Sequence, residues 1–168
     1  QRAYLFSGSI RENIRYGRLE STDAEVEKAA RTVDGHDFIM ACTAGYDFDV
    51  GEGGGNLSAG QKQLIALARV VLADPRILVL DEATSAVDTE TEQHLQSAID
   101  RVLNQRTSFV IAHRLSTIRK ADRIILLGPD GIVEQGPHRA LIQQRGAYYQ
   151  LYANQFIAEH EAQVMRNA

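Results

Sequence analysis

The sequence predicts an α/β fold in which short apolar strands alternate with amphipathic helices. Two observations carry that expectation. The runs Ile77 to Leu80, Ser108 to Ala112 and Arg123 to Leu127 are brief and apolar, as strands buried on both faces are. Between the first two, Leu95, Ala98, Ile99, Val102 and Leu103 recur at helical spacing. Strands separated by helices imply a parallel sheet.

Composition narrows the class. At 168 residues, with 44% hydrophobic and 24% charged residues, the chain suits one soluble globular domain. Lys and Arg number 18 against 22 Asp and Glu, a formal charge of −4, and no long basic run occurs, so nucleic acid is not an expected partner. The single cysteine, Cys42, has no second thiol for a disulfide or a zinc site, which fits a reducing setting. Leu64 to Leu72 is broken by Arg69 and falls short of the ~20 apolar residues of a membrane helix. The first residue is Gln1 and the only methionines are Met40 and Met165, so the chain is expected to be a piece of a longer protein.

In chain order, Ser9 and Glu12 are spaced for a capping box ahead of a short helix. Asp23 to Val33 reads as an amphipathic helix, with Ala24, Val26, Ala29, Ala30 and Val33 on one side and Glu25, Glu27, Lys28 and Arg31 exposed. His36 to Cys42 reads as another helix, and the glycines of Gly45 to Gly55 as a flexible loop. A helix opening after Ser58 carries Leu64, Leu67, Ala68, Val71 and Leu72 on its apolar face until Asp74-Pro75 stops it. Thr89 to Asn104 is a helix expected to pack on the sheet, with Thr89 and Glu92 as its capping box. Gly131 to Gly136 is the return strand of a hairpin, and His138 to Gln144 and Ala147 to about Val164 are helical, the last of them peripheral.

The chemistry concentrates between Asn56 and Asp88. Ser58 and Gln61 have capping-box spacing, and a helix starting there offers N–H groups and a positive dipole end to an anion. Ala59 and Gly60 are small enough for a phosphate to approach the backbone. The run Ile77 to Leu80 ends in Asp81 and Glu82, and carboxylates at the carboxyl end of a parallel strand face the ligand crevice. Asp81 follows Ser58 by 23 residues, room for one helix and a turn, and Ser85 to Asp88 comes directly after.

In this order the residues resemble the nucleotide-binding domain of ABC transporters, of the multidrug and lipid exporter type. Leu57 to Gln61 is similar to the signature motif, Ile77 to Glu82 to the Walker B strand with its catalytic Glu, and Ser85 to Asp88 to the D-loop. Gln1, Leu5-Phe6 and Glu12-Asn13-Ile14 stand at the spacings of the exporter Q-loop region, and His113 to Ile118 matches the switch-histidine pattern. Phe48 to Glu52 is an altered copy of a Thr-Glu-Val-Gly-Glu-like segment near the coupling helices. Ala59 replaces the usual first glycine of the signature, Lys62 and Leu64 stand where Arg is common, and Pro137 replaces a frequent Thr; none of these removes a catalytic group.

The resemblance implies a partial P-loop NTPase-like ABC ATPase fold. Residues 1–74 would be the helical subdomain and residues 75–168 the C-terminal half of the RecA-like core. It also implies ATP and Mg²⁺: Asp81 and Gln1 at the metal, Glu82 as general base, His113 at the γ-phosphate or the water, and Asp88 toward the opposing subunit. Ser58, Ala59, Gly60 and Gln61 would serve ATP held by a second nucleotide-binding domain, head to tail. The parent would sit at the cytoplasmic face of the cell membrane, with a transmembrane domain and a solute to export. The remaining histidines, His36, His94, His138 and His160, show no metal-ligand spacing.

Two rivals remain. A soluble, non-transport ABC ATPase would lack the exporter patterns at Leu5 to Ile14 and at His113 to Ile118. A regulatory or dimerisation module would have no reason to keep Asp81, Glu82 and His113 together. No Gly-x-x-x-x-Gly-Lys-Ser/Thr occurs in the chain, and Gly51 to Gly55 lacks the Lys-Ser/Thr that would stand in for it. The isolated chain is therefore expected to bind MgATP weakly or not at all and not to turn it over; saturable binding in the micromolar range by calorimetry would refute this.

Overall fold

A computed structural model describes residues 3–81, 89–104, 106–112 and 115–166. It comprises two compact units, Gln1–Val110 and Ile111–Ala168.

The first unit is mostly helical. Helix α1 (Ile10–Arg15) opens with the expected box: Ser9 Oγ accepts from the Glu12 N–H at 3.1 Å, and Glu12 accepts from the Ser9 N–H at 2.8 Å. Helix α2 (Asp23–Thr32) opens with a second box, Thr22 with Glu25. Its buried face is Val26, Ala29 and Ala30, with Val33 just beyond; Ala24, two residues before Val26, falls on the opposite face at 3.6 residues per turn and is exposed. Helix α3 (His36–Ala41) follows.

Gly45 to Gly55 is an ordered connection rather than the flexible loop its glycines suggest. It makes two 3₁₀ turns, Gly45–Asp47 and Glu52–Gly54, and buries Tyr46 and Val50. The Tyr46 hydroxyl lies 2.9 Å from His36 Nδ1, and the Arg11 guanidinium lies over its ring while binding Asp47 and Asp23 at 3.0 Å. Backbone bonds from Val50 N–H to the Gly8 carbonyl and from Ile10 N–H to the Phe48 carbonyl stitch the segment to the approach of α1.

Helix α4 (Ala59–Ala73) is the axis of this unit, packing against α1, α2 and α5 (Thr89–Leu103). It buries Leu64, Ile65, Leu67, Ala68 and Leu72, and Asp74 ends it in a left-handed conformation at φ 46° before Pro75. From α5, Leu95, Ala98 and Val102 enter the same core; the side chains of Thr89 and Glu92 lie outside the described residues.

Strand β1 (Ile77–Asp81) pairs with β2 (Thr107–Ile111) in a two-stranded sheet. Neither is buried on both faces as their apolar runs predict. Ile77, Val79, Phe109 and Ile111 are exposed, while Leu78 packs against the helical core. The described residues supply cover for one face only.

In the second unit, the third apolar run does not extend that sheet. Strand β3 (Ile124–Gly128) pairs antiparallel with β4 (Gly131–Gly136), so the return strand is its partner in a separate sheet. Helix α6 (Leu115–Lys120), which the sequence reading did not anticipate, precedes it, and α7 (His138–Gln144) and α8 (Ala147–Arg166) follow. The Glu134 carboxylate accepts from the N–H groups of Ala147 at 2.7 Å and Tyr148 at 3.0 Å, capping α8 from the neighbouring strand.

Gly17 marks the tightest approach in the first unit. A Cβ there would lie 2.2 Å from the Arg69 carbonyl oxygen and 3.2 Å from the Ala73 nitrogen, both backbone atoms of α4. Gly17→Ala is therefore expected to cost ~1–3 kcal/mol by overpacking. Gly55→Ala, where the nearest atom is 3.4 Å away, serves as control. Equal midpoints in urea denaturation of the two variants would contradict the packing.

Candidate functional site

The N-terminus of α4 is built to be open. Three glycines at positive φ, Gly51 (72°), Gly53 (59°) and Gly54 (75°), turn the chain sharply ahead of it. Asn56 fixes the exit of that turn, its side chain donating to the Asp49 carbonyl at 3.1 Å and its backbone N–H to Val50 at 3.1 Å. Leu57 is buried and anchors the cap. Ser58 then accepts from the Gln61 N–H at 3.3 Å while Gln61 Oε1 accepts from the Ser58 N–H at 2.9 Å.

That box leaves the N–H groups of Ala59 and Gly60, at the first two helical positions, without an intrahelical acceptor. The first turn holds no acidic residue. Its donors and the positive dipole end are therefore available to an anion, and Ser58 and Ala59 are exposed while Gly60 is buried. The structure thus brings Ser58, Ala59, Gly60 and Gln61 together on one helix end.

Asp81 stands elsewhere, as the exposed last residue of β1. Its carboxylate suits a hard, oxygen-seeking ion that keeps most of its water. Among the described residues no group of three or more His, Cys, Asp or Glu side chains gathers to hold a metal. Gln1, Glu82, Asp88 and His113 lie outside the described residues.

A second constellation escaped the sequence reading. Asn13, only 2% exposed, accepts from the Phe6 N–H at 2.9 Å and donates to the carbonyls of Phe6 at 2.9 Å and Ser9 at 3.0 Å. Arg69 of α4 reaches the same residue, donating from Nε to the Asn13 carbonyl at 2.8 Å and from a terminal nitrogen to Asn13 Oδ1 at 3.1 Å; its other terminal nitrogen bonds the Tyr4 carbonyl at 3.3 Å. Burial pushes the guanidinium below its usual range, yet an arginine stays charged. Hydrogen bonds from Ser9 hold the nearby Glu12 carboxyl below its usual value. The available signals were Arg69 interrupting the apolar run Leu64 to Leu72 and the Asn within Glu12-Asn13-Ile14.

Around this hub the surface is aromatic. Phe6 and Tyr16 stack at 4.5 Å, Tyr4 meets Phe6 edge-on at 5.3 Å, and the Arg69 guanidinium lies 5.6 Å from the Phe6 ring and 5.9 Å from that of Tyr16. Tyr4, Phe6, Tyr16 and Leu19 are all exposed, and a cavity of about 240 Å³ opens beside Phe6, Tyr16 and Leu19.

An α/β chain with a capped helix end at Leu57 to Gln61 and a strand closing on Asp81 has the fold of the ABC ATPases. The chain belongs to the ABC transporter family, whose model matches residues 1–85. It is 53% identical over 156 residues to the ABC transporter ATP-binding protein YfiC of Bacillus subtilis, covering 93% of this chain and 26% of that protein. It is 50% identical over 157 residues to the ATP-dependent lipid A-core flippase of Acinetobacter baylyi, covering 93% and 27%. A solved bacterial Atm1-family ABC exporter with ATP bound superposes with a TM-score of 0.82 at 44% identity, over 92% of this chain and 27% of that one. The chain thus spans about a quarter of the length of these relatives. Among the described residues no helix is long and apolar enough to cross a membrane.

The two constellations should differ in stability. Ser58→Ala removes an exposed cap and is expected to cost about 1 kcal/mol. Asn13→Ala strands buried backbone groups and should cost roughly 2–3 kcal/mol. Chemical denaturation ranks them, and an Asn13→Ala variant as stable as Ser58→Ala would show that the hub is not held as described.

Proposed function

We propose that this chain is the later part of the ATP-hydrolysing domain of an ABC exporter, and that its parent uses ATP to move a solute outward across the cell membrane from the cytoplasmic face. The observation that carries the reading is the capped, acid-free N-terminus of α4, with two N–H groups left for an anion. Residues 1–74 act as the helical subdomain and residues 75–168 as part of the RecA-like core.

In this reading Ser58 and the N–H groups of Ala59 and Gly60 grip the γ-phosphate of ATP bound to a second nucleotide-binding domain, packed head to tail, with Gln61 holding the cap in shape. Asp81 and Gln1 would hold Mg²⁺, which when bound would neutralise charge on the phosphates. Glu82 takes a proton from the attacking water, whose oxygen bonds to the γ-phosphorus as the bond to the β-phosphate oxygen breaks and ADP leaves. His113 hydrogen-bonds the γ-phosphate or that water and Asp88 faces the opposing domain. The chain has no P-loop lysine, so alone it does not turn over ATP.

The aromatic groove of Tyr4, Phe6, Tyr16 and Leu19 supports the remaining partner. Exposed apolar patches of this kind mark protein contacts, and this one is suited to a short cytoplasmic segment of the transmembrane domain.

In the full-length parent, Glu82→Gln should lower the ATPase kcat at least ~100-fold while leaving the ATP KM within roughly threefold, because proton transfer alone is removed. Unchanged turnover would remove Glu82 from the reaction, and a parent with no ATPase activity at all would sink the whole reading.

A further inference from the structure

We propose that Arg69 is a positioning residue that couples the aromatic groove to the phosphate-gripping end of α4. The inference rests on the function proposed above and deepens it. The groove and the anion site belong to different segments, residues 4–19 and 57–61, and something must make them move together if docking at one is to change the other.

Beside the backbone bonds of Val50 to Gly8 and Ile10 to Phe48, Arg69 is the side-chain link from α4 itself to the groove segment. It sits ten residues after Ala59 on the same helix, ~15 Å along an axis that moves as one body. Its three donating nitrogens take the Tyr4 carbonyl, the Asn13 carbonyl and Asn13 Oδ1. Its guanidinium carbon lies 5.6 Å from the ring centroid of Phe6 and 5.9 Å from that of Tyr16, the residues a docked segment would touch. Asn13 in turn holds Phe6 by both backbone groups. A displacement of Phe6 or Tyr16 therefore reaches α4 through short, directional contacts.

Only a planar fork of donors satisfies this arrangement. A lysine keeps the charge and much of the stem, but its three N–H groups radiate from one nitrogen, which cannot reach acceptors set apart as these are and also cover the stacked ring pair. An arginine present only to fill space would tolerate that exchange; one that transmits position would not.

The test uses the full-length parent reconstituted in lipid, as wild type, Arg69→Lys and Arg69→Gln. Two quantities are read: ATPase kinetics with and without transported solute, and hydrogen exchange at the amides of residues 4–16 on adding MgATP with vanadate. Wild type should show solute-stimulated ATPase and slowed exchange at residues 4–16. Both variants should keep an ATP KM within twofold yet lose most of the stimulation, at least fivefold for Arg69→Gln, together with the exchange response. Arg69→Lys covers the case in which Arg69→Gln fails to fold. If Arg69→Lys keeps full stimulation and the exchange response, or loses ATP affinity and turnover in parallel, Arg69 is structural and the inference fails. If wild type shows no stimulated ATPase, the function reading itself falls and the inference with it.

Discussion

Helix α4 must satisfy two demands at once. Along its length it buries Leu64, Ile65, Leu67, Ala68 and Leu72 against α1, α2 and α5, and this apolar contact holds the first unit together. At its N-terminus it must keep backbone donors uncovered. The two demands are compatible because the burial begins only after the first turn, apart from Gly60, which has no side chain to place. Leu57, immediately before the cap, is the last apolar anchor on the other side of the turn. The uncovered first turn is thus a short gap between two buried stretches, and its rigidity comes from them.

What was legible in the sequence was local. The box of Ser9 with Glu12 and that of Ser58 with Gln61 form as read, because each depends only on residues three apart. The end of α4 at Asp74-Pro75 is legible for the same reason. Ala24 was misplaced because its apolar character was weighed over its position, which at 3.6 residues per turn lies opposite Val26. Gly45 to Gly55 was misjudged because Tyr46 and Val50 are held by His36, Arg11 and Gly8, distant partners that no window of sequence displays. The hub of Asn13 and Arg69, 56 residues apart, was hidden likewise.

The strands show the limit in another form. Ile77, Val79, Phe109 and Ile111 have the composition of a doubly covered sheet and are nevertheless exposed. Composition reports the environment a strand is suited to, whereas burial needs a second layer to supply it. The described residues place helices on one face, and the relatives that share this fold are about four times longer. The same reasoning covers β3, whose apolar run is equally consistent with a central strand and with one half of a hairpin; the Gly128–Gly131 turn decides for the hairpin.

Ala59 is informative because it departs from the glycine common at its position in the family it resembles. At the first helical position after Ser58, helical dihedrals suit alanine, and an exposed methyl group there meets no core. Glycine loses more backbone freedom on folding than alanine, by roughly 0.5–1 kcal/mol within a helix. Ala59 therefore favours the folded first turn, while its small size leaves the adjacent N–H groups reachable. A larger side chain would shield them, and an acidic one would set a negative charge beside them and so disfavour any anion there. The constraint at this position is size and charge, not glycine as such. Gly60, one residue on, is buried rather than exposed, so the size allowed there is more narrowly limited.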